Sequence, residues 1–267
     1  MKKYLSFFRL RFALGLQYRT AALAGIATQF FWGFMEIMVF MTLYEEQAER
    51  FPITLSATVS YIWLQQAFLA FFNTWGVEIE IFDSIVNGNV SYELCRPINL
   101  YNMWFSRNIA NRMSSCILRC IPILILAFML PEPYGISLPN SLGTFCLFIV
   151  TLFLGLCVTV AFCMLIYMLA FFTISPQGLR VLFISIVEFL SGGIIPLAFL
   201  PDGLRQVVYL LPFASMQNVA LSIYGGSVGL DEVIKPVCLQ LFWLITIIAI
   251  GKSLCSVAQR KVCVQGG

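Results

Sequence analysis

The stretch LGTFCLFIVTLFLGLCVTVAFCMLIYMLAFFTI, Leu142–Ile174, decides the fold class, because it runs its whole length without one charged side chain. About 20 mainly apolar residues suffice for a helix to cross the hydrocarbon layer. Working outward, five further apolar runs flank it: Ala21–Leu43, Leu55–Val77, Met103–Leu130, Leu179–Leu200 and Val237–Val257. The whole 267-residue chain agrees, with 60% hydrophobic and 11% charged residues and a mean hydropathy of +0.89. Globular proteins carry about 25% charged residues. Sixteen basic and 13 acidic side chains cannot clothe a water-facing surface of this size. The expected fold is all-α, a polytopic membrane protein with six transmembrane helices in one domain, 1–267.

The fifth run is the least regular, interrupted by Gly192, Gly193 and Pro196. After it, Leu204–Tyr224 is apolar but broken at Pro212 into pieces too short to cross. Irregular backbone at membrane depth needs protein or a wet cavity beside it. Residues 201–226 are therefore expected to form an outer re-entrant pair of short helices.

Several chemistries are excluded. The chain has no histidine, which removes Ser–His and Cys–His triads and histidine metal sites. It also lacks a G-x-x-x-x-G-K-[ST] loop and a G-x-G-x-x-G run, the usual cradles for nucleotide phosphates. No cofactor or metal is expected on this chain, nor a nucleic-acid partner. Most of the nine cysteines sit in apolar stretches with no CxxC pair, so reduced thiols are expected.

Orientation follows the basic residues. Lys2, Lys3, Arg9, Arg11, Arg19, Arg96, Arg107, Arg112, Arg180, Lys252, Arg260 and Lys261 fall on one side, against Arg50, Arg205 and Lys235 on the other. This excess places both termini in the cytoplasm of a multi-pass protein of the cell membrane. Arg9, Arg11 and Arg19 interrupt any signal-peptide core. Leu5, Phe8, Phe12 and Leu16 recur at helical spacing beside Arg9 and Arg11, so residues 1–19 are expected to form an interfacial helix.

Three segments could carry function. Residues 78–99 form the longest polar excursion on the inner side. There Ile79, Phe82 and Val86 share one helical face, Asp83 and Asn87 lie at its rim, and Gly88 and Pro97 stop the helix. A connecting loop is the plain alternative. Glu36 and Glu188 lie inside the first and fifth runs, with Arg119 in the third as a candidate counter-charge. Intramembrane charges mark either buried pairs that fix packing or a polar wall on a substrate path. The third segment is the Gly192–Gly193–Pro196 break with Pro212 beyond it, either a kink or an outer gate.

The order and spacing of several short motifs resemble the permease subunit of a type-2 ABC exporter over residues 4–260. They are Phe8–Phe12, Tyr18-Arg19, Leu94–Ile98, Ser191–Leu197 with Phe199-Leu-Pro, Leu211–Phe213 and Ile223–Gly226. The resemblance implies six transmembrane helices and a cytoplasmic helix before the first. It also implies a coupling helix, here Ile79–Gly88, between the second and third, and re-entrant helices at Leu204–Tyr224. It further implies two such permeases, identical or related, forming the path across the bilayer. Two cytosolic ATPase subunits would bind ATP and magnesium, and Ile79, Phe82, Asp83, Val86, Asn87 and Arg96 would meet one of them. The cargo class would be an amphiphilic compound, peptide or lipid. The 131–141 loop leaves no room for a sizeable outer domain.

Two other classes remain. A stand-alone secondary transporter or channel would favour matched helix breaks in both halves, but the Gly/Pro break occurs once. A membrane-embedded lipid-modifying enzyme or protease would need a catalytic set that the chain lacks.

Overall fold

In the computed structural model the described residues are 2–17, 19–47, 51–76, 78–173, 176–229 and 232–261. Tyr18, Glu49, Arg50 and the last residues of two expected spans, Val77 and Ile174, lie outside them. The helices are α1 (Lys2–Gly15), α2 (Arg19–Gln47), α3 (Leu55–Ala67), α4 (Leu69–Phe72), α5 (Ile79–Val86) and α6 (Val90–Leu94). After them come α7 (Leu100–Met129), α8 (Leu142–Ala170), α9 (Pro176–Leu190), α10 (Asp202–Leu210), α11 (Asn218–Tyr224) and α12 (Ile234–Lys261).

Four helices, α2, α7, α8 and α12, contain stretches long and apolar enough to cross a membrane. The other two expected spans are interrupted. The second is split at Phe68 between α3 and α4, and its described residues 73–76 are not helical. The fifth is helical only to Leu190 and then turns at Gly192, whose φ of +85° is strained for any side chain bearing a Cβ. Residues 201–226 do form two short helices, α10 and α11, parted at Leu211-Pro212. One short element adds to the expected set: α6 fills part of the return after Gly88, which takes φ +73° at the turn.

Apolar all round, α8 sits at the centre, as such helices must. It packs against α12, α11, α7 and α4, with the run Val158–Met168 almost wholly buried. α3 is nearly as deep, buried from Ala57 to Ala67. By contrast α2 and α12 keep large apolar side chains outside, including Phe31, Trp32 and Val39, and Phe242 and Ile245. These faces suit lipid or another chain. α1 runs alongside the first half of α7, tied by Lys3 Nζ to Pro97 O at 2.7 Å and by Ser106 Oγ to Tyr4 O at 3.3 Å. The described cysteines are all free.

Buried polar side chains of α3 fasten the 134–137 loop and the α9 break. Trp63 Nε1 donates to Tyr134 O at 2.7 Å, and Ser60 and Ser137 share a hydroxyl bond of 2.7 Å. Tyr61 Oη reaches Gly192 O at 3.2 Å, and Gln65 Nε2 reaches Gly193 O at 2.6 Å. The Gly192–Gly193 break is thus held by α3, and Pro196 leads into a 3-10 turn at Leu197–Phe199.

Candidate functional site

Two polar regions stand out, one (the inner region) where the start of α7 meets the end of α8 inside the bundle, and one along the flank of α2 and α3.

The inner region fixes residues 78–99 to the bundle. Glu78 and Glu80 both form ion pairs with Arg107, and Asn111 Nδ2 donates to Glu78 Oε1 at 2.8 Å. Burial pushes the Glu78 carboxyl above its usual range, opposed by the Arg107 charge and the Asn111 amide. The Glu78 amide donates to Tyr167 Oη at 2.8 Å, which also accepts from Asn108 Nδ2 at 3.2 Å. Trp104 Nε1 donates to Glu93 Oε2 at 2.5 Å. Beside this cluster, Arg112 is 5% exposed. Its guanidinium donates to Ala70 O, Phe71 O and Asn73 O at 2.7–3.1 Å, to Asn108 Oδ1 at 2.8 Å and to Cys163 Sγ at 3.3 Å. It therefore caps the C-terminal end of α4, where helix carbonyls lack partners and a cation is favoured.

This geometry corrects two expectations. Phe82 does not stand on the outer face of α5. It is 7% exposed and packs edge-on against Tyr167 with ring centroids 5.2 Å apart. With Ile81 it forms the buried side of the helix, because the backbone is pinned at Glu78 and Glu80 and that fixes the rotation of the next turn. Ile79, Val86 and Tyr92 are left exposed, together with Asp83, Asn87 and Arg96. Nor do Arg107 and Arg112 stand exposed as flanking charges, since both are buried within α7.

The second region is a cavity of about 1120 Å³ that follows α2 from Gly25 to Leu43 and is closed on other sides by α3, α4, Arg119 and the α9 break. All three intramembrane charges, Glu36, Arg119 and Glu188, line it. They do not pair: among the described residues the ion pairs are those of Arg107 and Arg205. Gln66 hydrogen-bonds the Glu36 carboxyl. Arg119 lies against α2, its Cζ 2.8 Å from where a Gly25 Cβ would stand. Several buried polar atoms here have no hydrogen-bond partner: Glu36 Oε1, Gln65 Oε1, Arg119 Nε and both amide atoms of Gln29. The walls between them are apolar, from Trp32, Met35, Val39, Phe40 and Phe199.

The sequence does not single out Arg107, Arg112, Asn108 and Tyr167, where they read as flanking or apolar-span residues. It also passes over Gln29, Gln65 and Gln66. A carboxamide inside a 20-residue apolar run is the signal that could find them. Among the described residues no group of three or more His, Cys, Asp or Glu could hold a metal ion.

No curated protein matches the chain. The model of a family described as ABC-2 family transporter protein matches residues 29–266, taking in the inner cluster and most of the cavity lining. The protein is thus a membrane-embedded permease-type chain that belongs to the ABC-2 transporter family.

Proposed function

We propose that the chain is one half of an ATP-driven exporter. It crosses the membrane six times with both termini in the cytoplasm, the interrupted α3–α4 and α9 segments serving as the second and fifth crossings. A second permease, identical or related, completes the path. Two cytosolic ATPase subunits bind ATP and magnesium and drive it. The cavity beside α2 is this chain's share of the cargo path, with Glu36, Arg119 and Glu188 as its polar points. Gly192, Gly193, Pro196 and Pro212 form the outer gate, and α1 lies at the inner interface.

The observation that carries this is the two-sidedness of residues 78–99. Their inner side is bolted to α7 and α8 through Arg107 and Tyr167, so movement imposed on α5 passes directly to the bundle. Their outer side exposes Ile79, Val86 and Tyr92, of which Val86 is 63% exposed. Exposed apolar side chains ringed by Asp83, Asn87 and Arg96 suit a short helix seated in a partner's groove. The anchors are thus Ile79 and Val86, with Phe82 acting from behind as packing. A connecting loop would need neither the bolts nor the exposed strip.

The test is Val86→Asp, made in the chain co-expressed with a candidate ABC ATPase subunit. Membrane yield and thermal stability should stay unchanged, while ATPase co-purification and ATP-dependent export should fall about tenfold or more, as for a central interface anchor. Retention of both activities would reduce residues 78–99 to a connector and remove the main support for an ATPase partner.

A further inference from the structure

Glu36 and Glu188 line the cavity from α2 and α9, and Gln65 and Gln66 of α3 line it as well. Gln66 hydrogen-bonds Glu36. Gln65 Nε2 donates to Gly193 O at 2.6 Å, and Glu188 Oε1 lies 3.4 Å from where a Gly193 Cβ would stand. The two carboxyl groups thus line one cavity, Glu36 beside Gln66 and Glu188 beside the Gly193 backbone that Gln65 holds. Neither has an ion-pair partner among the described residues.

Independent of the acids, Gln29 is 4% exposed, lines the same cavity and has no hydrogen-bond partner for either amide atom. Gln65, 3% exposed, leaves Oε1 without a partner as well. The unpaired acceptors so placed are Gln29 Oε1, Glu36 Oε1 and Gln65 Oε1, alongside the unpaired donors Gln29 Nε2 and Arg119 Nε, and buried polar atoms without partners are costly.

A positive charge answers the acceptors among them. Carboxylates in low dielectric are stabilised by a cation, and a cation of diffuse charge loses least hydration on entry. Trp32 and Phe40 line the cavity too, and aromatic rings attract cations at their faces. Arg119 is the basic side chain in the lining, and it is displaced toward the other end, against Gly25. From Gly25 to Glu36 the axis of α2 rises about 16 Å.

We propose that the Glu36–Glu188 end of the cavity binds a lipophilic organic cation, its charge between the two acids and its apolar body against Trp32 and Phe40. This rests on reading the cavity as the cargo path and names the class of cargo that the path selects.

The probe is radiolabelled tetraphenylphosphonium, bound to the full chain purified in detergent with no ATPase or ATP present. Saturable binding is expected, displaced by unlabelled tetraphenylphosphonium but not by its neutral relative triphenylphosphine oxide. Glu36→Gln and Glu188→Gln should each weaken it about tenfold or more. Arg119→Gln, which removes the positive charge from the same cavity, should tighten it.

Absence of saturable binding to the folded wild-type chain would overturn the proposal, and that result needs no variant to fold. Equal displacement by the neutral compound, or unchanged binding in both glutamine variants, would do so too. Saturable binding of the anion 8-anilinonaphthalene-1-sulfonate that depends on Arg119 and not on the acids would assign the cavity to anions instead. If tetraphenylphosphonium binds as expected but a reconstituted transporter does not export it, the site stands and the cargo-path reading falls. If the transporter exports other compounds with ATP and the cation does not bind, the exporter reading stands and the cation site falls.

Discussion

Where α7 meets α8, Glu78, Arg107, Asn111 and Arg112 sit among apolar side chains and satisfy one another or nearby carbonyls, with Glu80 joining Arg107 from the surface. Along α2 and α3, Glu36, Glu188, Arg119, Gln29 and Gln65 sit in surroundings just as apolar. There the charges stay apart and several polar atoms find no partner. The same side-chain chemistry thus serves two ends. Where donors and acceptors close on each other, the result is a rigid junction. Where they are held apart on different helices, the result is an opening that a polar guest or water can complete.

Three experiments probe this contrast. The largest effect is expected at Arg112. Arg112→Leu leaves the carbonyls of Ala70, Phe71 and Asn73 buried without their donor and should cost about 3 kcal/mol or more. Arg112→Lys should recover little, because an ammonium cannot present the guanidinium's spread of donors. Thermal unfolding and folded yield in detergent measure both variants. Wild-type stability in Arg112→Leu would show that the junction is not closed by this residue.

Next comes the Glu78–Arg107 pair. Arg107→Met alone strands a buried carboxylate, whereas pairing it with Glu78→Gln removes the charge as well. A double-mutant cycle should return a coupling of about 1–3 kcal/mol. Zero coupling would place this pair with the groove charges rather than apart from them.

The smallest coupling is expected between Glu36 and Arg119. They share a cavity but no ion pair, so Glu36→Gln and Arg119→Gln should add within about 0.5 kcal/mol. A coupling as large as that of Glu78 and Arg107 would erase the distinction between the two regions.

The uncharged run at Leu142–Ile174 and the low overall charge were enough to specify a helical membrane protein. Lipid leaves the backbone no alternative to internal hydrogen bonding. Local chemistry also set the stop of α5 near Gly88, the break at Gly192 and the parting of α10 from α11 at Pro212. Glycine and proline act through their own backbone geometry, whatever surrounds them. Tertiary structure alone decided which face of α5 turns inward. The spacing of Ile79, Phe82 and Val86 puts them on one side of an ideal helix, yet only contact with Tyr167 and Arg107 buries Phe82 and leaves the other two outside. It decided, too, that Arg107 and Arg112 serve as buried ties and that Glu36, Glu188 and Arg119 share a cavity without pairing. Hydropathy records how polar a residue is, whereas partnership depends on which helices pack together and at what rotation, and that is a property of the assembled bundle.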